Sequence, residues 1–118
     1  MAKATYVHDG GSIDHTPSAA VAAGDVVVQN DLAGVARTPI AANALGSLAV
    51  TGVFDVAKAT GAGTAIEAGK KVYWDAANGV ATTSADDGGE PATAYPYLGK
   101  TVKAATDADT TVRVRLSQ

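Results

Sequence analysis

The sequence predicts an all-β protein: one small β-barrel or sandwich domain spanning residues 1–118, with at most one or two short helices. Three observations carry that prediction. Apolar residues fall in short β-branched runs broken by Gly, Asn and Asp. One segment alternates strictly, since Val112, Val114 and Leu116 share one face while Thr111, Arg113 and Arg115 share the other. Finally, no apolar period of helical spacing runs far enough to hold a helix on its own.

Taken in order, candidate strands lie at 4–7, 25–29, 34–38, 48–56, 71–74, 79–83, 97–104 and 110–116. Val26-Val27-Val28 leads into Gln29-Asn30-Asp31, and Val72-Tyr73-Trp74 into Asp75-Ala76-Ala77-Asn78-Gly79. Asn and Gly tolerate the positive φ of tight reversals, so both segments read as hairpins. The Ala-rich stretches 18–23 and 39–45 have helix propensity but only the length for a turn. Residues 84–96, with Asp86, Asp87, Glu90, two glycines and two prolines, read as an exposed loop.

Shifting the chain by 45 positions superposes Ala23-Gly24 on Ala68-Gly69, Val27 on Val72, Gly34-Val35-Ala36 on Gly79-Val80-Ala81, and Thr38 on Thr83. Chance matches are common in an Ala/Gly/Val-rich chain, but here the glycines fall at matching turn positions. The pattern suggests two related hairpin units, too few for a solenoid.

Hydrophobic residues make up 47% of the chain and aromatics only 5%, so the core must be built from Val, Ala, Leu and Ile. Small side chains bury little area each, and such a core favours an oligomer or an assembly. With a net charge of -3 and nine scattered Lys and Arg, nucleic acid is not an expected partner. The chain has no cysteine, no signal-peptide pattern near its start and no apolar run of spanning length, which points to a soluble protein without a membrane partner.

Candidate chemistry is sparse. His8, Asp9, Asp14 and His15 flank Gly10-Gly11 and could meet around a divalent ion, but ordinary solvated hairpin residues are the stronger reading. Ser12, His15 and Asp14 lack the elbow or oxyanion hole that a nucleophile needs. Gly61-Ala62-Gly63-Thr64 has no following Gly-Lys and no long helix, and Asp86-Asp87-Gly88-Gly89-Glu90 lacks the ligand spacing of a calcium loop. No enzyme, cofactor or metal is expected. Trp74, with Tyr73 beside it on one strand, reads as a core or subunit-interface anchor rather than a ligand platform, and Tyr95-Pro96-Tyr97 could similarly present rings to a partner.

Several segments together resemble the small phage and prophage proteins described as capsid cement or head decoration proteins. They are Met1-Ala2-Lys3-Ala4-Thr5-Tyr6-Val7, Gly24-Asp25-Val26-Val27-Val28, Gly52-Val53-Phe54, Ala68-Gly69-Lys70-Lys71-Val72-Tyr73-Trp74-Asp75 and the closing Val112-Arg113-Val114-Arg115-Leu116. The likeness implies a compact fold akin to the tulip-like β module of the lambda head decoration protein. It also implies homotrimers on the outer surface of a tailed-phage capsid, made in the host bacterial cytoplasm, with the major capsid protein as partner. An arm or hairpin at 1–16 would engage that partner through Lys3, Thr5, Tyr6, Val7 and His8, and loss of residues 2–9 would abolish binding while sparing the fold. Tyr73, Trp74, Tyr95 and Tyr97 would lie between subunits. The alternative is a β-module on a phage tail or cell surface that binds a host glycan or protein; co-sedimentation with emptied heads separates the two.

Overall fold

The computed structural model describes residues 3–117 and is all-β, with two antiparallel sheets arranged as a sandwich. Met1 and Ala2 of the expected arm lie outside the described residues. The first sheet has the order β1 (Ser12–His15), β4 (Gly46–Ala49), β3 (Leu32–Val35), β2 (Val26–Gln29). The second runs β5 (Thr51–Ala57), β9 (Thr111–Ser117), β8 (Tyr97–Thr101), β6 (Lys71–Asp75), β7 (Val80–Thr82).

Both expected hairpins form. β2 and β3 are joined by Asn30-Asp31, with Asn30 at φ 55°, and β6 and β7 by a four-residue turn ending in Gly79. The 45-residue shift maps one hairpin onto the other, and Gly24 and Gly69, which precede them, both take positive φ. The two hairpins differ in turn length and lie in different sheets.

Four expectations about elements need correction. The run 48–56 is two strands, because the chain passes from one sheet to the other at Val50, with Gly52 at φ 111° just beyond. Segment 4–7 is not a strand. The Val50 N–H bonds to the Gly11 carbonyl and the Lys58 N–H to the Thr110 carbonyl. Alternate residues of a strand face one edge, so β9 occupies past Thr51 the edge that β1 uses before it, and the arm finds no ladder to extend. The strand expected at 97–104 stops at Thr101, whose hydroxyl donates to the Glu67 carbonyl and accepts the Lys70 N–H. The strand expected at 34–38 begins earlier, at Leu32, directly after the two-residue turn.

The stretches 18–23 and 39–45 are not helical. Instead Val21 and Ile40 exchange backbone hydrogen bonds of 2.8 and 2.9 Å, which directs Ile40 into a small core with Ala36 and Leu48. The larger core joins Ala33 and Val35 of the first sheet to Val56, Val72, Leu98, Val112, Val114 and Leu116 of the second. Burying each of these Val and Leu side chains stabilises the fold by about 2 kcal/mol before chain entropy is counted.

The second sheet curls without closing into a barrel. Its edge strands β5 and β7 meet beyond β5 at one parallel bridge, Lys58 to Ala81, and the seam between them is open elsewhere. Lys58 is buried there with all three ammonium donors engaged: the Ala59 carbonyl at 2.7 Å, the Thr64 hydroxyl at 3.2 Å and the Asp109 carbonyl at 3.2 Å.

Candidate functional site

The open seam makes a groove of about 630 Å³ between the two sheets. Val26 and Val35 line it from the first sheet, and Phe54, Val56 and Trp74 from the second. The lone Trp and lone Phe of the chain therefore share one apolar depression, each half-buried against the larger core. Sequence reasoning singled out Trp74 but missed the groove; the available signal was Gly52 inside the apolar run 48–56, where the strand changes sheets.

The other aromatics are distributed differently. Tyr73 and Tyr97 face each other across β6 and β8, with ring centroids 5.7 Å apart at 64°, and the Tyr97 hydroxyl lies 3.3 Å from the Ser117 hydroxyl. Trp74, next along β6, points to the opposite face of the sheet. Tyr95 is half-buried near the Asp75 carboxylate, and its N–H donates to the Ala85 carbonyl at 2.9 Å.

Asp75 itself organises this end of the sheet. It is 6% exposed and accepts the Asn78 side-chain amide at 2.7 Å and the Asn78 N–H at 3.2 Å. The Asn78 side chain, then the backbone amides and Tyr95, hold its carboxyl below the usual carboxylate range, against the opposing effect of burial. A depressed folded pKa means stability present above the unfolded carboxylate value of about 3.9 and lost as pH falls through the folded value. The melting temperature is expected to fall below pH about 4, and Asp75→Asn should flatten that descent while lowering stability at pH 7. Parallel melting curves of the two proteins from pH 7 to 2, with an unchanged difference throughout, would count against the assignment.

Residues 3–10 form an exposed arm without ladder pairing. Tyr6 and Val7 are 78% and 80% exposed, and Lys3, Thr5 and His8 are exposed beside them. The hydrogen bonds of this segment are internal: the Tyr6 hydroxyl donates to Asp9 at 2.6 Å, which raises its pKa, and His8 Nδ1 meets the Asp9 carbonyl. Gly11 anchors the root through its carbonyl. Among the described residues, no group of three or more His, Cys, Asp or Glu is placed to hold a metal ion.

In the loop 84–96, Asp86 bridges Ala94, and Asp87 accepts the Gly89 and Thr93 N–H groups at 2.8 and 3.0 Å. The loop is thus shaped by its own carboxylates while its residues up to Ala94 stay exposed.

What this fold presents is contact surface: an extended arm, an apolar groove and an aromatic pair on a β body. The family model of the phage cement proteins matches residues 7–116, nearly the whole chain, and the chain belongs to that family. Its role is structural and capsid-associated. No curated protein and no solved structure matches it.

Proposed function

We propose that this protein binds the outer surface of a tailed-phage capsid and stabilises the shell as a homotrimeric decoration protein, with the major capsid protein as its partner. Membership of the cement family across residues 7–116 carries the reading. Lys3, Thr5, Tyr6, Val7 and His8 form the capsid-docking segment; their exposure and lack of a ladder suit a strand that orders on an exposed capsid edge. Tyr73, Trp74, Tyr95 and Tyr97 contribute to contacts between copies, where the half-buried rings gain further burial. Many small interfaces acting together then resist internal pressure.

Co-sedimentation with emptied phage heads tests the first part. Saturable binding at a fixed ratio to the major capsid protein is expected, and a protein that stays in the supernatant at all concentrations overturns the proposal. In solution, the expected species has three times the 11.7 kDa chain mass.

A further inference from the structure

The outer face of the second sheet carries an unusual charge arrangement. Lys71 lies directly opposite Lys100, and Lys100 directly opposite Arg115, in a row across β6, β8 and β9. All three are exposed, while the flanking Val72, Gly99, Thr101, Val114 and Leu116 are buried, so the three cations share the solvent face. Adjacent strands are about 4.8 Å apart, which places these charges within roughly 10 Å. Salt at physiological strength screens over about 8 Å, so neighbouring cations repel. Like charges directly opposite destabilise a sheet.

The chain does not neutralise this row itself, although it carries more acids than bases. Among the described residues the one ion pair joins Arg113 to Asp55 at 3.0 Å, and Lys103 also acts on that carboxylate. The complementary charge is elsewhere on the molecule, in Asp86, Asp87 and Glu90 of the 84–96 loop. Glu90 makes no hydrogen bond or ion pair among the described residues. The loop returns to β6 near its Asp75 end, where the Trp74 N–H donates to the Pro96 carbonyl at 2.9 Å, whereas the row crosses β6 at Lys71, its other end. Four residues of strand, about 13 Å, separate these points, and among the described residues no acid of the loop forms an ion pair with the row.

We propose that the Lys71–Lys100–Arg115 row of one copy receives the acidic loop of a second copy. Row and loop lie apart on one chain, so the contact can pass from copy to copy around the homotrimer proposed above. The Tyr73–Tyr97 pair lies on the two strands that carry Lys71 and Lys100 and would be covered with the row. This inference rests on the self-association proposed above and names the residues that drive it.

The test is sedimentation velocity of the full chain across a concentration series, without phage heads. Lys100→Glu should weaken association at least about tenfold, and Glu90→Lys likewise. Combining the two should restore association to within about threefold of wild type, because the contact is re-formed with its charges exchanged. Circular dichroism should be unchanged in all three, since both side chains are exposed. Association of Lys100→Glu at wild-type strength overturns the row–loop contact while leaving self-association standing. Failure of the double variant to recover also overturns it. A wild type that is monomeric at every concentration, with the Lys100→Glu effect confined to binding of heads, makes the capsid the partner of the row and overturns the inference together with the homotrimer in solution.

Discussion

Replacing Gly99 with alanine is expected to lower the melting temperature by roughly 10 °C or more. Gly99 sits in the middle of β8, between Val72 of β6 and Leu116 of β9. A Cβ at this position would collide with the Arg115 carbonyl oxygen and lie 2.9 Å from its carbon and 3.0 Å from the Leu116 Cα. All three atoms are backbone, so no rotamer change relieves the overlap. The strands must separate, and they carry Leu98, Val114 and Leu116 of the larger core. A cost of about 3 kcal/mol or more follows from overpacking a rigid site. For a chain of this length, that lowers the melting temperature by roughly 10 °C. Gly10→Ala is the control: nothing lies within 4 Å of its added methyl, and stability should change by no more than about 0.5 kcal/mol. Equal melting temperatures for the two variants would show that β8 and β9 are farther apart than described.

Gly99 also marks where sequence reading succeeds and where it stops. The alternation of Val112, Val114 and Leu116 is a local property of one strand, and β9 buries those three residues. The Asn-Asp and Asn-Gly reversals are local too, and both hairpins form. By contrast, the close approach at Gly99 depends on which strand lies beside β8, a fact of pairing between segments distant in the chain. The same holds for segment 4–7, whose pattern suits a strand but whose edge is taken by β9. β1 was overlooked for the converse reason: Ser-Ile-Asp-His has one apolar residue and becomes a strand through its ladder with β4. As for the surfaces proposed for interaction, Tyr73, Trp74, Tyr95 and Tyr97 stand out in the sequence because aromatics are scarce here. The groove and the basic row were not, since each arises from side chains that only the sheet order brings together.

Removing residues 3–9 is expected to abolish capsid binding while leaving the body folded. The arm adds nothing to either core, and its hydrogen bonds run between its own residues Tyr6, His8 and Asp9. Its loss should therefore shift the melting temperature by no more than about 2 °C. Binding is different, because the proposed trimer engages the shell through three arms and the loss is multiplied by lost avidity, so retention on emptied heads should fall at least about a hundredfold. Within the arm, Tyr6→Ala and Val7→Ala should each cost about tenfold, since these are the exposed apolar side chains available for burial on docking. Lys3→Ala should cost less, and its effect should fade at high salt. Wild-type retention of the truncated protein would move docking to the body. The groove between Phe54 and Trp74 would then be the surface to test, and Trp74→Ala the variant that decides it, because no other depression described in the chain joins two large rings with so little polar lining.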